Sequence, residues 1–85
     1  MKIQLFGSSC AACDKMKTHV HDAVAQLQMP CDIEVVTRIA DMIDLGITQT
    51  PSLAINGRVM SSGRVLDVDT IKGMLSTAAA GEKHP

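Results

Sequence analysis

Apolar and polar residues change their spacing several times along the first part of the chain, and each change predicts a new element. The mostly apolar stretch at 2–6 predicts a short, central strand. Over 11–28 the apolar residues recur at three- and four-residue spacings, which predicts an amphipathic helix. Alternation over 31–37 then predicts a half-buried strand. Its expected buried face consists of Cys31, Ile33 and Val35.

The middle of the chain predicts a short helix followed by a hairpin. Ile39, Met42 and Ile43 have the spacing of one helical face, and Gly46 is placed to end the helix in a left-handed conformation. Two apolar runs then flank Asn56-Gly57, which is a strong signal for a two-residue hairpin turn. The pattern therefore predicts two antiparallel strands after the short helix.

A last helix completes the predicted order β-α-β-α-β-β-α. Asp67 is suited to cap this helix, whose apolar positions are Val68, Ile71, Met74 and Leu75. We expect one domain over 1–77 and a frayed tail over 78–85. A helical crossover makes the first two strands parallel, whereas the hairpin is antiparallel. The fold class is therefore α/β, with a four-stranded mixed sheet flanked by helices.

Composition and charge narrow the function classes. The chain has 85 residues and a net charge of −1 with both signs interspersed, so we expect neither a nucleic-acid nor a membrane partner. No run approaches the roughly 20 apolar residues of a membrane span, and the N-terminus is too quickly polar for a signal peptide. These features predict a cytoplasmic protein. In that reducing compartment a pair of cysteines is more often catalytic or metal-binding than structural.

The chemistry of the chain is concentrated in Gly7-Ser8-Ser9-Cys10-Ala11-Ala12-Cys13, where the first strand turns into the first helix. A helix N-terminus offers N–H groups without intrahelical partners and a partial positive charge, both of which favour a thiolate. The spacing of the two cysteines puts both sulfurs on one helical face, close enough for a disulfide. Two thiolates can also bind a soft metal such as Cu(I).

The element order, with Cys-x-x-Cys after the first strand and Thr-Pro before the third, resembles a minimal thioredoxin fold. More closely, the chain resembles the small thioredoxin-like redox-active disulfide proteins of archaea and bacteria. The resemblance covers about residues 2–76. It rests on Gly7-x-x-Cys10-x-x-Cys13, Thr50-Pro51, Leu53-Ala54-Ile55-Asn56-Gly57 and Ser61-Ser62-Gly63-Arg64.

This resemblance implies dithiol–disulfide exchange with protein disulfides, without a cofactor. Cys10 would attack the target disulfide, Cys13 would resolve the mixed disulfide, and a dithiol reductase would supply electrons. Pro51 is expected to be cis, with the backbone of Thr50 pairing with the substrate. The remaining expected substrate-binding residues are Ser9, Ala11, Ala12, Ser62 and Gly63.

Two other functions are compatible with the same cysteines. One is a Cu(I)- or soft-metal-binding module like the heavy-metal-associated domains, whose order is β-α-β-β-α-β. The other is a glutaredoxin-like, glutathione-dependent reductase. The chain also departs from ordinary thioredoxins, because Gln4 stands at the strand position that carries an acid in them, and Ala11-Ala12 replaces their Gly-Pro.

The remaining cysteine and the histidines have structural explanations. We expect Cys31 to be a small buried hydrophobe, although a third redox thiol is an alternative. His19 and His21 are expected to be solvated on the first helix, and His84 to belong to the tail. The spacings of these histidines from Cys13 do not favour a shared metal ion within that helix.

Overall fold

The predicted succession of strands and helices is present in the computed structural model, which describes residues 1–7 and 11–82. The elements are β1 (Lys2–Phe6), α1 (Ala11–Leu27), β2 (Asp32–Val36), α2 (Ile39–Asp44), β3 (Ser52–Ile55), β4 (Arg58–Ser62) and α3 (Val68–Glu82). The expected domain end at residue 77 falls inside α3, which is longer than its apolar pattern indicated. Within the described ranges, no helix combines the length and hydropathy needed to cross a membrane.

The strands form a four-stranded mixed sheet in the order β2-β1-β3-β4. Ile3 of β1 pairs with Ile33 of the parallel β2 on one side and with Ile55 of the antiparallel β3 on the other. β3 and β4 pair antiparallel, as the hairpin signal predicted. The α/β class and the parallel and antiparallel relations are therefore confirmed. β1 lies inside the sheet, which is why its sequence is mostly apolar.

The hairpin turn also holds the hairpin against β1. Asn56 and Gly57 both have positive φ, 52° and 83°, as a two-residue turn of the type I′ class requires. The Asn56 backbone N–H donates to the carbonyl of Lys2 at 2.8 Å, and the Lys2 N–H donates to Asn56 Oδ1 at 2.9 Å. The turn residues therefore help to fix the register between the hairpin and the first strand.

The larger part of the core lies between one face of the sheet and the two long helices. α1 contributes a stripe at three- and four-residue spacing, and α3 contributes a second stripe that packs against it. Alternate residues of β1 and β3 face these helices, as the two-residue period of a strand requires. The principal buried residues are Ile3, Leu5, Met16, Val20, Ala23, Leu53, Ile55, Ile71 and Leu75.

The opposite face of the sheet has a smaller core, and here the predicted helical face was wrong. Ile39 and Ile43 are 72% and 68% exposed, and only Met42 of the predicted face is buried. The helix has six residues and ends in a Schellman turn: Gly46 N–H donates to the Ile43 carbonyl, and Ile47 N–H donates to that of Met42. This turn, with Gly46 at φ 74°, returns the chain so that Ile47 rather than Ile39 or Ile43 joins Met42 in the core.

The predicted buried face of β2 is only partly correct. Cys31 and Ile33 are half-buried and pack against the larger core, but Val35 is 45% exposed. β2 is an edge strand, so no neighbouring strand shields Val35 on its outer side. Val36, on the other face, packs against the smaller core instead.

The predicted cap of the last helix is confirmed. Asp67 Oδ1 accepts a hydrogen bond from the Thr70 backbone N–H at 2.7 Å. Hydrogen bonding by the Thr70 side chain, then by its backbone N–H, lowers the pKa of the Asp67 carboxyl, and the nearby His19 contributes in the same direction. The charged carboxylate is therefore the form that stabilises the helix start.

We predict that Asp67→Ala lowers the melting temperature at neutral pH and that this loss shrinks in acid. A carboxyl whose pKa is lowered by folding stabilises the fold above its ordinary value of 3.8 and ceases to do so as pH falls through the lowered pKa. Melting curves of parent and variant at a series of pH values down to about 2 measure the difference.

Asp67→Asn is the matched control, because asparagine retains an oxygen that can accept the Thr70 hydrogen bond but does not titrate. It should lose less stability than Asp67→Ala. A difference between parent and Asp67→Ala that stays constant across the pH range would show that the carboxylate charge has no part in the cap.

Candidate functional site

The described part of the predicted dithiol motif lies in the first turn of α1. Cys13 is half-buried and is disulfide-bonded in this structure, whereas the side chains of Ala11 and Ala12 are exposed. Ser9 and Cys10, which the sequence analysis placed in the site, lie outside the described residues. The position of Cys13 follows from the helix pattern, because Met16 and Val20 of the same helix are fully buried and fix which side meets the sheet.

Gly7 brings the end of β1 close to Cys13. Its backbone N–H donates to the carbonyl of Val36 at 3.0 Å, so the end of β1 is held against β2. A Cβ atom built on Gly7 would lie only 2.6 Å from Cys13 Sγ and 3.6 Å from Thr50 Cβ. Only glycine leaves room for the sulfur at this distance. From the sequence alone Gly7 is expected only to be a turn residue, because a contact between distant segments leaves no linear pattern.

The Thr50-Pro51 segment approaches the same point from the other side. The peptide bond between these residues is cis, the Pro51 side chain is buried, and Thr50 is exposed. The structure therefore brings Gly7, Cys13 and Thr50 together, although they come from three separate segments. Thr50 is exposed and its Cβ lies near Gly7, so its side chain is at the surface close to the sulfur.

Hydrogen bonds to the end of β4 hold the Thr50-Pro51 segment in place. The Ser52 hydroxyl donates to the carbonyl of Gln49 and lies 3.0 Å from the Ser62 hydroxyl. The Gly63 N–H donates to the Pro51 carbonyl at 2.9 Å. Ser62 and Gly63, which the sequence analysis also assigned to substrate binding, therefore adjoin the proline loop.

A cleft opens beside Cys13, between α1 and the ends of β1 and β2. Its walls expose polar and apolar surface in nearly equal parts, and the charged residues among its described lining both come from α1. These neighbours were not predicted from the sequence, although the spacing of Lys17, four residues after Cys13 on a predicted helix, indicates that the two lie on one helical face. The lining residues are Leu5, Phe6, Gly7, Cys13, Asp14, Lys17, Val35, Thr37 and Pro51.

Gln4 occupies a polar site on the other face of the sheet. Its side-chain N–H donates to Glu34 Oε1 at 2.9 Å, across the parallel β1–β2 pair in which these residues are partners. The Lys2 ammonium lies 3.9 Å from the same carboxylate oxygen. Gln4 is not among the residues that line the cleft beside Cys13.

The prediction that His19 is solvated was wrong. His19 is half-buried, and its Nδ1 lies 2.7 Å from the carbonyl oxygen of Leu66, which can only accept a hydrogen bond. The backbone N–H of Leu66 donates to Met16 Sδ at 3.3 Å. Two side chains of α1 therefore pair with the backbone groups of the buried Leu66, just before α3. His21 is exposed as expected, and His84 lies outside the described residues.

Cys31 lies at the end of the sheet away from Gly7. It directly precedes Asp32, which pairs with Lys2 at the start of β1, whereas Cys13 approaches Gly7 beyond the other end of that strand. Cys31 is half-buried and packs against the larger core, in line with its structural interpretation. The two cysteines are therefore separated by the length of β1.

Comparison with known proteins agrees with this arrangement. The family described as "Thioredoxin domain" matches residues 1–76. A thioredoxin of Methanothermobacter thermautotrophicus is 33% identical over 76 residues, covering 89% of this chain and 99% of that protein. A thioredoxin of Methanocaldococcus jannaschii is 26% identical over 80 residues, covering 94% of this chain and 92% of that protein.

The order of strands and helices distinguishes the thioredoxin fold from the fold of the metal-binding alternative. The chain folds as β-α-β-α-β-β-α, whereas the heavy-metal-associated domains considered above follow β-α-β-β-α-β. The match over residues 1–76 spans every strand and the greater part of α3. The chain therefore belongs to the thioredoxin domain family, and with it to the protein-disulfide oxidoreductases.

Proposed function

We propose that this protein exchanges disulfides with target proteins through the dithiol of Cys10 and Cys13. The observation that supports the proposal most directly is the convergence of Cys13, Gly7 and Thr50 at the mouth of α1. The partial positive charge of the helix N-terminus stabilises a thiolate at this position. The adjacent, exposed Thr50 leaves room for a polypeptide chain to approach the sulfur.

In the reductive direction the exchange takes two steps. The thiolate of Cys10 attacks one sulfur of the target disulfide, and the other target sulfur leaves with the electron pair and takes up a proton from water. Cys13 then loses its proton to water and attacks Cys10. The bond between Cys10 and the target breaks, and the second target sulfur leaves as a thiolate. Two electrons have then passed from the dithiol to the target.

The substrate is proposed to bind as an extended segment along Thr50. Because Pro51 is buried and its carbonyl is bonded to Gly63, the backbone of Thr50 is held in one position at the surface. Main-chain hydrogen bonds to this position would align a target disulfide without requiring one target sequence. Ser62 and Gly63 support the segment, and we assign Ser9, Ala11 and Ala12 to the rim around the dithiol.

We place this activity in the cytoplasm, with a dithiol reductase as the electron donor. Repeated turnover in the reductive direction requires a donor that returns the Cys10–Cys13 disulfide to the dithiol. A reducing compartment contains such donors and keeps dithiols reduced.

We predict different outcomes for the two cysteine substitutions. Cys10→Ser removes the attacking thiolate and should abolish exchange with a protein disulfide such as insulin. Cys13→Ser leaves the attack intact but removes the resolving thiol, so mixed disulfides should accumulate. Intact mass spectrometry after alkylation detects the trapped adducts, and an insulin reduction assay measures turnover.

Cys31→Ala serves as the control, since Cys31 lies far from Gly7 and Cys13. It should retain turnover with the parental pattern of adducts. Adducts that form on the Cys10→Ser protein rather than on the Cys13→Ser protein would reverse the assigned roles. Loss of turnover in both variants with no adduct in either would refute the exchange mechanism.

We further predict that Gly7→Ala slows exchange while the protein stays folded. The added methyl carbon would lie 2.6 Å from Cys13 Sγ, so the sulfur or the end of β1 must shift. Displacement of a reacting group by about 1 Å can reduce a rate by up to about a hundredfold. Turnover in the insulin assay and the circular dichroism spectrum test the two parts of this prediction.

Gly73→Ala is the matched control, because a Cβ at this position of α3 would have no atom within 4 Å. It should preserve turnover and stabilise the protein by about 0.5–1 kcal/mol, since alanine favours a helix more than glycine does. Equal turnover of the Gly7→Ala and Gly73→Ala proteins would show that the close approach at Cys13 has no functional importance.

A further inference from the structure

The cleft beside Cys13 has an uneven distribution of charge. Among the described residues that line it, Asp14 and Lys17 carry charge, and both lie on α1. The residues that β1, β2 and their following loops contribute to the walls are uncharged, and so is Pro51. The protein walls of the cleft exclude part of the solvent, so a charge at this place is screened less than at an open surface.

Helix geometry places Lys17 next to Cys13. Residues four apart on a helix lie one turn apart on the same face, with their Cβ atoms about 5–6 Å from each other. Lys15 lies between them in sequence but points to the opposite side of the helix, because two residues correspond to about 200° of rotation. Accordingly, Lys17 lines the cleft with Cys13 and Lys15 does not.

The charge of Lys17 is available to the cleft. Within residues 1–7 and 11–82 the ion pairs are those of Lys2 with Glu34 and of Arg38 with Asp41. Lys17 therefore has no carboxylate partner among the described residues. Its long aliphatic stem can lie along the wall of the cleft while the ammonium stays at the rim.

We propose that Lys17 is a positioning residue for the resolving step, which its ammonium promotes by stabilising the thiolate of Cys13. The inference rests on the exchange mechanism proposed above. In the resolving step Cys13 gives its proton to water, and its thiolate attacks Cys10. The new Cys10–Cys13 bond forms as the bond to the target breaks, and the target sulfur leaves with the electron pair.

The surroundings of Cys13 explain why a positive charge near its sulfur would promote the resolving step. A half-buried thiol among apolar side chains resists ionisation, because burial disfavours the charged form. The neutral Gln4 side chain is bonded to Glu34 on the other face of the sheet and does not line the cleft. Lys17 opposes the effect of burial by its positive charge, whereas Asp14, beside Cys13 in sequence, acts with the opposite sign.

The test measures the ionisation of Cys13 without any exchange partner. In a Cys10→Ser, Cys31→Ala background, Cys13 is the only remaining thiol. Its alkylation by iodoacetamide, an uncharged reagent, is followed by intact mass from about pH 5 to pH 10, a range that brackets an ordinary thiol pKa. The substitutions compared in this background are Lys17→Met, Lys17→Arg, Lys15→Met and Asp14→Asn.

We expect Lys17→Met to move the alkylation profile to higher pH and to slow alkylation at pH 7 by about threefold to tenfold. Lys17→Arg should restore the parental profile, and Asp14→Asn should move it to lower pH. Lys15→Met removes the same charge from the opposite side of the helix and should leave the profile unchanged. With otherwise native cysteines, Lys17→Met should prolong the lifetime of mixed disulfides.

An unchanged profile in the Lys17→Met protein would overturn the inference, and so would an equal shift in the Lys15→Met protein. Neither result would bear on the exchange mechanism, which the cysteine variants test separately. Conversely, absence of exchange in the parent protein would refute the proposed function but would leave the alkylation profiles measurable. A circular dichroism spectrum of each variant verifies that the helix is intact.

Discussion

The central strand β1 is hydrogen-bonded to a strand on each edge and packs against a core on each face, and these contacts set the geometry of the site. It pairs with β2 and β3 along its edges, and its side chains alternate between the two cores. A strand fixed on four sides can shift very little. Gly7, the next residue, is held by its hydrogen bond to Val36 and lies where the sulfur of Cys13 needs space. The position of the sulfur relative to the sheet therefore depends on the packing of β1.

Patterns that are local in the sequence were sufficient to predict most of the fold. The apolar stripe of α1 determined one helix face, the short strand at 2–6 matched β1, and Asn56-Gly57 located the hairpin. The Asp67 cap was also predictable, because the hydrogen bond it makes is local in sequence. In each case the residues that determine the structure are near neighbours along the chain, so the sequence contains the whole interaction.

The predictions that were wrong concern features decided by distant parts of the chain. Whether Ile39 and Ile43 are buried depends on what covers the second face of the sheet, and a six-residue helix covers little of it. His19 is half-buried because the loop before α3 presents the Leu66 carbonyl to it. The close approach of Gly7 to Cys13 joins a strand end to a helix turn. None of these contacts produces a periodic pattern of residues from which it could be predicted.

Helix α1 contributes side chains to both the hydrophobic core and the cleft beside Cys13, and helix geometry explains how it does so. Met16 and Val20 face the sheet and are fully buried, whereas Cys13 and Lys17 follow the edge of that stripe into the cleft. Since 3.6 residues make one turn, Lys17 lies between the buried stripe and the solvent. An ammonium there can remain hydrated while its field reaches the sulfur. Rigid packing of α1 against the sheet thus fixes the backbone positions from which Cys13 and Lys17 extend, so the proposed stabilisation of the thiolate does not require the helix to rearrange.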